Sequence, residues 1–260
     1  MGSPLVGSCK PTAEHTAEPG EWTRVRRKGR RHLNRYEHTA LPYSNDDIVG
    51  SKLRPSFLSV SDIQREHQRI INQWKTSTCC RQLQEVIASR PSGPTITQAI
   101  CFGLGSFDSE DGSWESRRRA HVQLAAFLCI VKQLQRNNPQ SIRCIFQEPI
   151  FNSMDKEFIR GLGYEVVDSP EGFEKVSSST LVYGIHLYRG VYAQAIDKHP
   201  PAVFVGTPQE VWEECHESDS LDWGKLKELD EWCDKVKFPE DVGYTTFSST
   251  TIHWRRRNEV

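Results

Sequence analysis

Seven residues of this chain can do chemistry if the fold brings them together: Gly103, Gly105, Ser106, Glu148, Tyr183, His186 and Gly206. Gly103-Leu104-Gly105-Ser106 follows the apolar run Thr97-Gln98-Ala99-Ile100-Cys101-Phe102. Glycines there let the backbone turn tightly and approach a ligand, as they do where α/β folds hold phosphates and cofactors. The third glycine of the full dinucleotide fingerprint is missing, and a polar insert of about ten residues separates the turn from the next helix. Glu148 offers two acceptor oxygens for paired hydroxyls such as those of a ribose. His186 can carry a proton or orient a substrate. Tyr183, like Tyr192, can stack on a ring. Each has a plainer reading: a glycine that ends a strand, an aromatic that fills the core. The plain reading is hardest for Glu148, because a carboxylate just before Pro149 must be exposed or paired.

The elements that must position these residues are legible from period and punctuation. Strands are expected at 97–102, 142–146, 164–167, 180–185 and 202–206. Helices are expected at 116–135, 153–162 and 188–196, with only a short linker between the third and fourth strands. This alternation implies a parallel sheet with helices on both faces, and right-handed crossovers favour the order 3-2-1-4-5. The fold class is therefore α/β, with a Rossmann-like, mostly parallel sheet. Its switch point falls between the first and fourth strands. Gly103, Gly105, Glu148, His186 and Gly206 all fall at carboxyl ends of strands, the edge where such sheets bind ligands. Ahead of the sheet, Ile63, His67, Ile70, Ile71 and Trp74 recur at helical spacing after Ser61, read as the cap. Thr76-Ser77-Thr78 interrupts that helix before Leu83, Val86 and Ile87 resume it. Past 207 the expectation is helix over 208–214 and 222–236, then a β-like run over 245–254.

Three divisions follow: a disordered tail over 1–50, a helical lead-in over 51–94, and the α/β domain over 95–260. The tail carries a basic arm at 22–35. Residues 1–35 hold eight Lys/Arg against three Asp/Glu, while the rest of the chain has a balance of -6. Arg26, Arg27, Lys28, Arg30 and Arg31 form the run, and Trp22 and Val25 are apolar anchors that a mere spacer does not need. Such an arm suits nucleic acid, an anionic partner or an import receptor, or simply keeps the chain solvated. The eight cysteines contain no C-x-x-C pair, so no zinc site is read and a reduced intracellular setting is expected, cytoplasmic or nuclear. No apolar run reaches membrane length.

Taken in order, the motifs resemble one family. Gly103-Leu104-Gly105-Ser106 opens it, and Gln123-Leu124 sits in the long helix. Glu148-Pro149-Ile150-Phe151, Asp155 and Leu162-Gly163 match its Asp-Pro-x-Phe…Asp…Leu-Gly block. Glu171-Gly172 follows, then Tyr183, His186 and Tyr192. Trp22 and Val25 before the basic residues resemble its N-terminal element. The family is Sensitivity to Red Light Reduced, and the chain is similar to fungal-type members. It departs from the pattern at His121, where Arg is usual, at Glu148 for Asp, and at Thr207-Pro208 for Asn-Ser. The resemblance implies a place in circadian and light signalling and in control of heme biosynthesis, with a protein partner and no defined reaction.

Two functions follow. One is a regulatory protein without turnover, favoured by the resemblance and by the lack of a nucleophile–base pair. The other is an enzyme or sensor for a nucleotide-like ligand such as S-adenosylmethionine, favoured by Gly-x-Gly followed by an acid at the second strand. Heme held at Cys215-His216 is a weaker third.

Overall fold

The computed structural model describes residues 58–90, 93–109, 112–136, 138–214 and 223–256. The basic arm with Trp22 and the Cys215-His216 pair lie outside these residues. The lead-in is two helices, α1 (Val60–Lys75) and α2 (Thr78–Ala88). The cap of α1 is Ser59, two residues before the expected Ser61. Asp62 lies three residues beyond Ser59, so the two side chains satisfy each other's backbone N–H reciprocally. Thr76 closes α1, and the Ser77 hydroxyl caps α2 by accepting from Cys80 N–H. Ile63, His67, Ile70 and Trp74 form the buried stripe of α1.

The sheet has seven strands. The strands β1 (Gln98–Phe102), β2 (Arg143–Gln147), β3 (Glu165–Val167), β4 (Thr180–Gly184) and β5 (Val203–Gly206) pair in parallel. Two more, β6 (Cys233–Lys237) and β7 (Thr251–Arg255), complete the order 3-2-1-4-5-7-6, with β7 antiparallel to both its neighbours. The expected order 3-2-1-4-5 and its switch point between β1 and β4 are thus present. Side chains alternate along each strand. Ala99, Cys101, Leu181, Tyr183, Val203 and Val205 enter one core, and Ile100, Phe102, Val182 and Phe204 enter the other.

The first core is covered by α1, α2, α3 (Trp114–Gln135) and α4 (Ser153–Gly161). Helix α3 is buried nearly all round, from Ala120 through Phe127, as its apolar sequence requires. The second core is covered by α5 (Glu171–Glu174), α6 (Arg189–Ile196) and α8 (Trp223–Glu231). Helix α7 (Gln209–Glu214) follows β5. Three further expectations need correction. A short helix, α5, occupies the expected linker. The helix expected over 222–236 ends at Glu231, and the chain becomes edge strand β6, because β7 offers a free ladder that local helical periodicity does not announce. The β-like run begins only at Thr251, and the residues before it form turns.

Helices α1 and α3 meet through two histidines. His67 Nδ1 lies 3.2 Å from His121 Nδ1, with the rings of Phe107 and Phe158 against them. One imidazole must donate and the other accept, so they cannot both be protonated. Burial chiefly holds them neutral, taking His67 down to about 4 and His121 down to about 3. An unfolded histidine titrates near 6.5. Between 6.5 and about 4 the unfolded chain therefore binds more protons, and stability falls as pH drops. We expect the stability advantage of the native chain over a His67→Gln/His121→Gln variant to shrink across that window, measured as urea midpoints. A difference that stays constant with pH contradicts the buried neutral pair.

Candidate functional site

The carboxyl ends of β1 and β2 are joined by two carboxylates. Gly103 and Gly105 take positive φ angles of 64° and 82°, which glycine adopts without steric cost. Gly103 N–H donates to the Gln147 carbonyl at 3.2 Å. Gly105 N–H donates to Glu148 Oε2 at 2.8 Å, while Glu148 Oε1 accepts from Ile150 N–H at 3.1 Å. Asp155, fully buried, accepts from the Ser106 hydroxyl at 2.7 Å, from Phe107 N–H at 3.0 Å and from Asn152 N–H at 3.1 Å. The last bond is half of a capping box, because Asn152 Oδ1 caps α4 in return. Burial raises the pKa of both carboxyls, and the hydrogen bonds oppose that rise. The glycine turn is thus held by internal anions.

A tyrosine does the same for β4 and β5. Tyr192 is fully buried on α6; its hydroxyl donates to the Gly184 carbonyl at 2.8 Å and accepts from Thr207 N–H at 3.2 Å and Leu187 N–H at 3.3 Å. Gly206 serves this packing: a Cβ there would lie 2.8–2.9 Å from the Phe204 and Tyr192 rings. Tyr183, expected at the crevice, is placed in the core, where its hydroxyl donates to the Gln123 carbonyl at 3.1 Å and its ring meets Phe127. The reason is register: Tyr183 shares the α3 face with Leu181, and the crevice lies past the strand end.

His186 does stand at the carboxyl edge. It is exposed, has φ 54°, and its Nε2 lies 2.7 Å from the Ser248 carbonyl. A carbonyl only accepts, so Nε2 carries the proton. The bond ties the β4–α6 turn to the connection between β6 and β7. That connection is anchored again at α3, where Arg118 grips Asp241 at 2.8 and 3.3 Å and lies over the Tyr244 ring. The structure therefore brings Gly103, Gly105, Ser106, Glu148 and His186 to one edge, with Gly206 beneath it and Tyr183 away from it. Sequence reasoning named Asp155 only within the family block, not as a site residue, and left out Leu187. Asp155 is signalled by its place three residues after Asn152. Nothing in the sequence marks Leu187, whose side chain fills the space over Gly103 and Gly184. Among the described residues, no group of three or more His, Cys, Asp or Glu could hold a metal ion, and no helix is long and apolar enough to cross a membrane.

A family model described as the SRR1 domain matches residues 79–254. No curated protein matches the sequence. Among solved structures, the chain is similar to a protein from Listeria monocytogenes assigned to the class I S-adenosylmethionine-dependent methyltransferases. Identity is 10%, the TM-score is 0.38, and 78% of this chain and 71% of that one are covered. A protein from Thermoplasma acidophilum has 8% identity and a TM-score of 0.33 over 71% of this chain and all (100%) of that one. A chain in the complex of the Haloferax volcanii Trm112 methyltransferase activator with a methyltransferase has 7% identity and a TM-score of 0.37, over 76% and 96%.

The two carboxylates should differ in what they hold. Asp155→Asn turns one acceptor oxygen into a donor facing donors, and each buried group left unsatisfied costs about 1–3 kcal/mol. Glu148→Gln keeps one acceptor for Gly105 and should cost about 1 kcal/mol. Urea unfolding checks both. An Asp155→Asn chain as stable as the native one contradicts this role.

Proposed function

Because the chain belongs to the SRR1 domain family, we propose that it is a regulatory protein on a Rossmann-like scaffold, without turnover of its own. The family resemblance supports a role for this regulation in circadian and light signalling and in control of heme biosynthesis. One observation carries the non-catalytic reading: the groups that would meet a substrate are already engaged with the protein. Glu148 and Asp155 hold the glycine loop, His186 holds the Ser248 carbonyl, and Leu187 fills the switch point. A catalytic acid or base must reach the proton it moves. Regulation then works through protein partners, in the cytoplasm or the nucleus. The basic arm is the natural docking element for an anionic partner, a nucleic acid or an import receptor.

A second reading keeps the edge as a site for a nucleotide-like ligand, S-adenosylmethionine among them. It is favoured by Gly105, where an added Cβ would meet only the Ala120 methyl at 4.0 Å, with Glu148 beside it.

Thermal shift of the full chain with S-adenosylmethionine, ATP and heme separates the two. A ligand at a hundred times its Kd adds about 2.7 kcal/mol. The regulatory reading expects no turnover of any of the three, whether or not the melt shifts. A shift together with turnover of the bound compound contradicts it. On the same reading, replacing Arg26, Arg27, Lys28, Arg30 and Arg31 by Ala should leave the melt unchanged, because exposed charges contribute little. Nuclear accumulation and heparin retention at low salt should both fall, and unchanged values of both would rule out the arm as a docking element.

A further inference from the structure

The switch point between β1 and β4 is closed by the chain itself. A Cβ on Gly103 would lie 2.0 Å from Leu187 Cδ2, and a Cβ on Gly184 would lie 2.4 Å from Leu187 Cδ1. The two glycines stand diagonally at the ends of paired strands: Gly103 follows Phe102, which is in register with Gly184. They form a floor of bare backbone, and the Leu187 isobutyl group rests on it. We propose that Leu187 is a displaceable plug over a built ligand site, latched by the His186–Ser248 hydrogen bond, and that the ligand is a nucleoside with free vicinal hydroxyls and no phosphate. This deepens the regulatory reading and rests on it: a plug that yields to a ligand makes the crevice a sensor.

The latch has the marks of a segment held in place from outside. His186 and Ser249 are the two non-glycine residues with positive φ among the described residues, at 54° and 50°. One donates the hydrogen bond, and the other directly follows Ser248, whose carbonyl accepts it. Such backbone persists only where surrounding structure over-determines it, and it collects at clamps and switches. Leu187 N–H adds one longer bond, 3.3 Å, to the Tyr192 hydroxyl. Moving Leu187 therefore releases the 238–250 connection from the β4–α6 turn. Its second anchor, Arg118 with Asp241, stays in place on α3. A ligand in the crevice would be read out at that connection.

The ligand class follows from what the loop has left to offer. Backbone without side chains over two adjacent strands accommodates a flat ring. Gly103, Gly105 and Phe107 N–H are already bonded to Gln147, Glu148 and Asp155, so these donors are closed to a phosphate. Two carboxylates at the loop repel it further. Glu148 retains unused lone pairs on both oxygens, and a carboxylate accepts about four hydrogen bonds. Hydroxyl donors match it.

A plug lowers apparent affinity by the fraction of time the site stands open. Adenosine binding to the full chain, measured by equilibrium dialysis with ATP as the phosphate-bearing control, tests the proposal. Leu187→Ala should bind adenosine at least tenfold tighter than the native chain. The same gain should be absent for ATP and lost when Glu148→Gln is added. His186→Gly keeps the leucine, relieves the positive φ and cuts the latch. It should also tighten adenosine binding, with faster hydrogen exchange over 238–250, and it decides the matter if Leu187→Ala fails to fold. Folded variants that bind adenosine no better than the native chain overturn the plug. An equal gain with ATP overturns the ligand class. Turnover by the native chain would sink the regulatory reading instead, and is scored separately from the gain in Leu187→Ala.

Discussion

The Asp155 carboxylate is the interaction on which the carboxyl edge depends. It lies at 0% exposure among apolar neighbours, where an isolated charge is costly. Three donors converge on it from two different segments, the β1–α3 loop and the start of α4. Removing it strands those donors in the same buried place. The β1–α3 loop has no regular ladder of its own, so its path is set by where its N–H groups find acceptors. Glu148 supplies the second acceptor, and Gln147 extends the pattern by accepting from Gly172 N–H on α5. The end of β2 thus holds the loop after β1 on one side and the helix before β4 on the other.

The opposite half of the edge uses a neutral group. Tyr192 joins β4 and β5 through one hydroxyl that donates once and accepts twice. The difference in chemistry has a consequence. The β1–β2 side concentrates negative charge around the glycine turn, and the β4–β5 side carries none. An anion meets repulsion at the turn that would, in a phosphate-binding fold, attract it. The same glycine spacing therefore supports different chemistry here, because the acceptors come from within.

The five parallel strands and their order were legible because hydrophobic runs, glycine and proline punctuation and handedness rules all agree there. Strand β6 was not. Its residues Asp234 to Lys237 are exposed, so no core pattern marks it, and only pairing with β7 makes it a strand. The site was half legible. Gly105, Ser106 and Glu148 stand together as their positions at strand ends imply. Tyr183 does not join them, because strand period turns it toward α3. Leu187 escaped notice because an ordinary leucine after a histidine has no signature; only the two glycines beneath it, far apart in sequence, give it meaning. The family motif is thus in part a buried polar network, through Ser106, Asp155, Tyr183 and Tyr192, while Ile150, Leu162, Glu171 and His186 stand at the surface.

Internal carboxylates, rather than a ligand, hold the glycine turn. Native-state hydrogen exchange at the Gly105 and Phe107 amides tests it most directly, since those protons point at Glu148 and Asp155. Slow exchange is expected in the ligand-free chain, with opening free energies close to that of global unfolding. Asp155→Asn should speed Phe107 far more than a core amide such as that of Ile100. Fast, loop-like exchange at both amides in the native chain would contradict it.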